Sequence, residues 1–173
     1  SSGYTPIYTV IVKEAVHAAI RDGSGAFIHG HTYSQNPLSA AIACAVMDYL
    51  AKHDLVSKSA QMGDYLLKAL QGLRRHEFVG DIRGRGLFAG IEFVKDRKAK
   101  TTFDPKLKLN ALIGGRAFQK GLITYPGGGG ADGVNGDHLL LAPPLIITAK
   151  EIDLMVSILD ESFAKIFKEI SKA

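Results

Sequence analysis

The sequence contains one cysteine and no tryptophan, and aromatic residues make up only 8% of it. A single cysteine, Cys44, excludes a disulfide within the chain, and its place on the apolar side of a predicted helix favours a small packed residue over a nucleophile. No apolar run approaches the roughly 20 residues of a membrane span, and the first residues lack the basic start and apolar centre of a signal peptide. We therefore expect a cytoplasmic protein that does not contact a membrane.

Charge of one sign is not concentrated in the chain either. The 21 basic residues are spread among 17 acidic ones, which leaves a net charge of +4. The only local cluster, residues 95–100, is typical of a solvated loop, so we predict no nucleic-acid partner. His29 and His31 alternate as metal ligands on a strand do, but no carboxylate or cysteine stands nearby at ligand spacing, and no metal site is predicted.

The chain does contain enough apolar material for a core. Its 173 residues are 46% hydrophobic, which suits one sizeable core or one domain plus part of another. Hydrophobic periodicity predicts an α/β layer, with strands between residues 79 and 141 covered by helices. The predicted helices are residues 13–20, 37–50, 55–75, 106–120 and a final one after Thr148; the predicted strands are residues 7–12, 78–83, 87–94, 122–125 and 138–141. The first of these strands reads as buried, so it needs neighbouring strands on both sides.

Several of these elements carry further local signals. Apolar residues recur at helical spacing in the helix from residue 37, and Leu66 and Leu70 are predicted to face inward from the helix at 55–75. Gly121 suits the end of the helix before it, and Thr148 with Glu151 three residues on predicts a capping box for the last helix. The strands at 78–83 and 87–94 are expected to be joined by a tight connection.

Polar residues are concentrated just before the helix that starts near residue 37. Asn36 is suited to cap that helix and Pro37 to occupy its first position, so residues 29–35 are expected to form a loop beside a helix N-terminus. We expect a functional site in this loop more than elsewhere in the chain. The glycines at 84 and 86 fit a loose dinucleotide fingerprint, but a strand is predicted where that motif needs a helix. The glycine run 127–130 lacks the lysine of a P-loop, which favours a lid or a plain surface loop.

Three segments, in order and at matching spacing, carry a resemblance to a known family. Residues 30–41, GHTYSQNPLSAA, are similar to the pattern G-H-T-Y-S-G-x-P-x-x-x-A. Residues 79–93, VGDIRGRGLFAGIEF, are similar to V-x-x-x-R-G-x-G-L-x-x-G-I-E, and residues 141–148, LAPPLIIT, to L-x-P-P-L-I-I-T. The sequence therefore resembles the class III pyridoxal-phosphate-dependent aminotransferases, of the ornithine, acetylornithine and omega-amino-acid type, over nearly its whole length.

This resemblance implies the C-terminal part of a fold-type-I transferase that uses pyridoxal 5′-phosphate (PLP). Residues 1–36 are expected to be a remnant of the PLP-binding large domain, and residues 37–173 the small C-terminal α/β domain with its leading linker helix. In the family, a lysine that binds the cofactor covalently precedes a G-Y-x-P context, and residues 1–6, SSGYTP, match the residues on the C-terminal side of that lysine. We therefore expect the lysine upstream of Ser1, no catalytic residue in this chain, and no activity of this chain alone.

The resemblance also implies roles for individual residues. Thr32 and His31 are given to the cofactor phosphate of a neighbouring subunit, so that the active site is shared across a homodimer. Arg83 is expected to pair with a carboxylate. Leu140 stands where members that use α-amino acids with a second carboxylate carry arginine, which favours an amine or ω-amino-acid donor, with Tyr125 shaping the substrate entrance.

The implied reaction moves an amino group from an amine or amino-acid donor to a keto-acid acceptor. Two alternatives stay open. One is another PLP-dependent reaction on the same fold, by an aminomutase, racemase or decarboxylase. The other is a non-catalytic interaction module derived from the small domain.

Overall fold

Two units make up the chain in the computed structural model, which describes residues 1–170. The first unit is residues 1–54, and the second begins at Leu55. The first contains helix α1 (Glu14–Asp22) and helix α2 (Pro37–Lys52), with turns and extended segments around them.

The start of α2 is the one predicted from the sequence. The side-chain oxygen of Asn36 accepts hydrogen bonds from the backbone N–H groups of Leu38 at 3.0 Å and Ser39 at 3.2 Å. Pro37 follows as the first helical residue, where its missing N–H costs nothing. The predicted N-cap is therefore confirmed.

No residue of the first unit is buried, and one predicted element is absent from it. Residues 7–12 form no strand, contrary to the prediction, and Ile11 is 89% exposed. A β-branched run favours extended backbone, but a strand also needs a neighbouring strand to accept and donate its backbone hydrogen bonds. Among residues 1–170, every strand of the sheet comes from residues 79–141, and none of them pairs with residues 7–12.

Helix α2 also forms although its apolar side chains are not buried. Its apolar residues recur at helical spacing as predicted, yet Leu38 is 69% exposed and Met47 64%. Cys44 is also exposed, so the prediction that it packs in a core is wrong for this chain. The helix forms because its cap and its backbone bonds are local, whereas burial requires a second apolar surface.

The second unit opens with helix α3 (Leu55–Gln71), which continues as a 3₁₀ turn at Gly72–Arg75. Its predicted inward face is confirmed, since Leu66 and Leu70 are fully buried. Gly63 lies on the same face, where a Cβ atom would stand 2.2 Å from the carbonyl carbon of Gly86. Only glycine permits this approach of the helix to the turn between the first two strands.

Four antiparallel strands form the sheet in the order β1-β2-β4-β3. They are β1 (Val79–Arg85), β2 (Phe88–Phe93), β3 (Tyr125–Gly127) and β4 (Asp137–Leu141). The predicted hairpin and the last strand are confirmed. The strand predicted at residues 122–125 lies later, at 125–127, because the pairing of Tyr125 with Leu140 fixes where β3 meets β4.

Helix α4 (Leu109–Gln119) ends just before Gly121, which has a left-handed φ of 86° as predicted for a helix end. Helix α5 (Ala149–Ile170) starts with the predicted capping box. The Thr148 N–H donates to Glu151 Oε2 at 2.8 Å, and the Glu151 N–H donates to Thr148 Oγ1 at 3.3 Å.

One face of the sheet packs against these helices and builds a single core. Successive residues of β2 alternate, so that Ala89, Ile91 and Phe93 are buried while Gly90 and Glu92 face the other side. The largest buried side chains are Phe78, Phe93, Phe163, Leu66, Leu70, Leu73, Ile91, Leu109, Ile113, Leu139, Ile152 and Leu159. In the part of the chain that is described, no helix combines the length and the apolar character needed to cross a bilayer.

Candidate cofactor and substrate sites

The loop before α2 is a closed turn centred on Thr32 and Tyr33. The N–H of Ser34 donates to the carbonyl of His31 at 2.9 Å, and the N–H of His31 donates to Ser34 Oγ at 2.9 Å. The turn continues into the helix, because the N–H of Asn36 donates to the carbonyl of Tyr33 at 3.3 Å. The loop is thus tied to the capped end of α2 by a chain of hydrogen bonds.

The N-terminus of α2 has little left to offer a ligand. Pro37 has no N–H, the next two N–H groups are bonded to the side chain of Asn36, and the N–H of Ala40 donates to the Asn36 carbonyl at 3.0 Å. An anion near the start of α2 would therefore have to be bound by the loop that precedes the helix. Thr32 is exposed, and within residues 1–170 its hydroxyl has no hydrogen-bond partner, which leaves this donor open to solvent.

His31 is more constrained than Thr32. Its backbone N–H is already bonded to Ser34, and its ring makes edge contacts with Tyr8 and His29, at centroid distances of 5.9 and 5.2 Å. The structure brings the two residues assigned to the phosphate into one turn. It gives them different donors, a hydroxyl in Thr32 and an imidazole in His31.

Two residues of this loop were missed in the sequence analysis. Ser34 makes the side-chain contact that closes the turn, and a hydroxyl residue three positions after His31 was the available signal. Gln35 has a φ of 62°, in the left-handed region, at the position where the family pattern has glycine. That region costs a residue with a Cβ about 1–2 kcal/mol, so the backbone here is strained.

Tyr125 lies in the second unit, on the face of the sheet that is not covered by helices. Strand register places Arg83, Gly90, Leu140 and Tyr125 side by side in one row across the four strands. Tyr125 is 71% exposed and is the direct neighbour of Leu140. The row thus has one cation, Arg83, at the β1 edge of the sheet and an apolar pair, Leu140 and Tyr125, toward the β3 edge.

Arg83 is engaged in an ion-pair network, as predicted. Its guanidinium donates to Asp81 Oδ2 at 2.9 Å and also to a carboxylate oxygen of Glu92. Glu92, with Asp81, raises the pKa of Arg83, and Arg83, with Arg74, holds the pKa of the Asp81 carboxyl below its usual value. This guanidinium is paired within its own sheet and is not an open anion receptor.

The glycine-rich loop after β3 is an ordered turn. Asp132 accepts hydrogen bonds from the N–H groups of Val134 at 2.9 Å and Asn135 at 2.7 Å, and from the Asn135 side chain at 2.8 Å. The Asn135 side chain and these backbone groups lower the pKa of Asp132 to about 2. The carboxylate therefore organises the loop that follows Tyr125.

Comparison with known proteins identifies the family. The family model for class-III aminotransferases matches residues 1–163. This chain belongs to the class-III aminotransferase family. The predicted fold class is also confirmed, because a transaminase from the marine bacterium Virgibacillus matches with a TM-score of 0.90 at 30% identity, over 97% of this chain and 38% of that one.

Two relatives and one solved structure show what share of a family member this chain covers. The uncharacterised aminotransferase YodT of Bacillus subtilis is 38% identical over 172 residues, covering 99% of this chain and 39% of YodT. The putrescine–pyruvate aminotransferase of Pseudomonas aeruginosa is 33% identical over 91% of this chain and 33% of its own length. An amine transaminase solved in its PLP-bound form has a TM-score of 0.78 at 34% identity, over 87% of this chain and 33% of that one. This chain therefore spans between a third and two fifths of the length of these four proteins.

Proposed function

We propose that this chain is the C-terminal part of a PLP-dependent aminotransferase that moves an amino group from an amine or amino-acid donor to a keto acid. The observation that carries the proposal is the family match over residues 1–163, nearly the whole chain. The alternatives, another PLP-dependent reaction on this fold or a non-catalytic module, have no comparable support, since the four similar proteins described are all named aminotransferases or transaminases.

The loop before α2 fits the phosphate of PLP. A phosphate dianion needs several hydrogen-bond donors, and Thr32 offers an exposed hydroxyl beside the N–H groups of an exposed turn. His31 contributes its imidazole, because its own N–H is held by Ser34. We assign both residues to the cofactor of a neighbouring subunit in a homodimer. When bound, PLP supplies the electron sink that stabilises negative charge at the substrate carbon.

The covalent lysine is assigned to sequence outside this chain. Residues 1–36 are proposed to belong to the large cofactor-binding domain and residues 37–173 to the small domain with its linker helix, although α2 lies within the first structural unit here. We also propose a cytoplasmic location, which fits the exposed free thiol of Cys44 because such compartments keep thiols reduced.

The donor is proposed to be an amine or an ω-amino acid. Leu140 and Tyr125 are paired neighbours on the open face of the sheet, and the nearest cation of their row, Arg83, is already bound by two carboxylates. The row of Leu140 and Tyr125 therefore offers a substrate an apolar contact and no free guanidinium for a second carboxylate. Turnover confined to α-amino diacids would contradict the assignment.

The decisive experiment compares this chain with a polypeptide extended upstream through the proposed lysine. With PLP, an amine donor and pyruvate, the extended protein is expected to form alanine, and this chain alone to form none. Racemised, rearranged or decarboxylated products would instead favour the other PLP-dependent reactions. A polypeptide whose native start codon directly precedes Ser1 would favour the non-catalytic module.

Thr32→Ala in the extended protein tests the phosphate assignment. Loss of a hydrogen bond to a charged group is expected to raise the Kd for PLP roughly 10- to 100-fold. Thr101→Ala removes an exposed threonine side chain in the second unit and is the matched control. Equal PLP affinity in the two variants would remove Thr32 from the site.

A further inference from the structure

The turn that presents Thr32 is closed by a side chain rather than by backbone bonds alone. The Ser34 hydroxyl accepts the His31 N–H at 2.9 Å, while the Ser34 N–H donates to the His31 carbonyl at 2.9 Å. These two bonds run in opposite directions between the same two residues. Thr32 and Tyr33 therefore lie at the tip of a turn that is held at both of its ends.

Beyond these two bonds, one backbone bond reaches the tip, from the Asn36 N–H to the Tyr33 carbonyl at 3.3 Å. Thr32 and Tyr33 are exposed, Tyr33 to 81%, and no residue of 1–54 is buried. The position of the Thr32 hydroxyl therefore depends on the backbone of the turn. Gln35, which is in the left-handed region, lies within the segment spanned by the bond from Asn36 to Tyr33, so that bond forms at a cost in backbone strain.

We propose that Ser34 is a positioning residue for phosphate binding: its hydroxyl holds the His31 N–H and so fixes the turn from which Thr32 meets the phosphate. The inference rests on the proposed function and adds a residue to it. Ser34 acts through the turn and not by chemistry of its own. Without its hydroxyl, a single backbone bond spans the turn, and binding must first restrict the Thr32 tip.

The test uses the extended polypeptide and two probes, pyridoxine 5′-phosphate and pyridoxine. The probes differ only in the phosphate, and neither carries the aldehyde that reacts with amines. Ser34→Ala is expected to weaken binding of the phosphorylated probe about five-fold, the value of one ordinary hydrogen bond, and to leave pyridoxine unchanged. Ser34→Thr keeps the hydroxyl and is expected to restore binding.

A matched control and a ligand-free measurement complete the design. Ser24→Ala also removes a serine hydroxyl that makes one local bond, to the Ala26 carbonyl at 3.0 Å, in a different turn of the same unit. It is expected to change neither affinity. Without ligand, the His31 amide is expected to exchange with solvent faster in Ser34→Ala than in the parent protein or in Ser24→Ala.

The outcomes separate the inference from the proposed function. If the parent protein prefers the phosphorylated probe and Ser34→Ala keeps that preference in full, the role of Ser34 is wrong and the phosphate site stands. An equal loss for both probes also contradicts a role directed at the phosphate. If the parent protein shows no preference for the phosphorylated probe, the phosphate site and the role of Ser34 both fall.

Discussion

The two units of this chain differ in what their apolar side chains meet. In the second unit, Phe163 is fully buried between the sheet and its helices, whereas in the first unit Ile11 is 89% and Ile28 94% exposed. Both units contain well-formed helices with local caps. The difference shows that local signals determine where a helix begins, while burial depends on whether the chain supplies a second surface.

The residues proposed to bind the cofactor and the substrate are also divided between the two units. The proposed phosphate residues lie in the unit without buried residues, and Tyr125 lies on a strand of the unit that has its own core. A relative such as YodT is more than twice as long as this chain, which covers 39% of it. Under the proposed function, sequence outside this chain is expected to cover the apolar residues of the first unit.

The largest expected contrast comes from truncating one leucine in each unit. Leu66→Ala removes a side chain that is fully buried, and we expect it to lower the free energy of unfolding by about 2–5 kcal/mol. Leu38→Ala removes one that is 69% exposed, and we expect a change within about 0.5 kcal/mol. Urea titration of both variants, followed by circular dichroism, measures the difference. A large loss in Leu38→Ala would show that the first unit has a core in solution.

Much of the second unit was predictable because its signals are local and agree with one another. The capping box at Thr148, the buried stripe of α3 and the β1–β2 hairpin all appear where the residue pattern places them. The failures involve partners distant in sequence. Residues 7–12 needed a neighbouring strand, and the position of β3 follows from its pairing with Leu140.

Local sequence patterns predicted less of the candidate site than of the second unit's fold. Thr32 and His31 came from resemblance to a family, since no local pattern distinguishes a phosphate ligand from an ordinary turn residue. The contact of Ser34 was only partly predictable, because its hydroxyl bonds a backbone N–H and the only signal in the sequence is a hydroxyl residue three positions after His31. The left-handed backbone at Gln35 had one signal, the glycine that the family pattern has at this position, because glutamine itself gives none.

A second prediction compares the helix caps of the two units. Thr148→Ala removes the cap of α5, and Asn36→Ala that of α2, each with an expected local cost of about 1 kcal/mol. Because α5 is part of the core, its variant is expected to lower the midpoint of the cooperative transition. Asn36→Ala is expected to speed amide exchange in the first turn of α2 and to leave the midpoint of the cooperative transition unchanged. A lower midpoint in Asn36→Ala would mean that the two units unfold together.

The smallest predicted effect concerns pH and the Arg83 network. Arg83 and Arg74 lower the pKa of Asp81 below its ordinary value of 3.8, so the carboxylate stabilises the fold above that pH and loses this contribution as pH falls through its lowered pKa. Its side chain is 42% exposed, and solvent screening limits the contribution to at most about 1 kcal/mol. Asp81→Asn is therefore expected to be slightly less stable than the parent at neutral pH, and the difference is expected to shrink as pH falls below 3.8 and through the lowered pKa of Asp81.

The cost of Asp81→Asn stays small because both arginines keep other acceptors. Arg83 still bonds to Glu92, and Arg74 still donates to Gln71 Oε1 at 2.7 Å. Glu14→Gln is the counterpart in the first unit, where Glu14 pairs with Arg21 at 3.3 Å on exposed α1. It is expected to leave the urea midpoint unchanged from pH 3 to 7, because α1 has no buried residue through which to act on the core. A pH-dependent shift in Glu14→Gln as large as that in Asp81→Asn would show that the first unit is coupled to the core of the second.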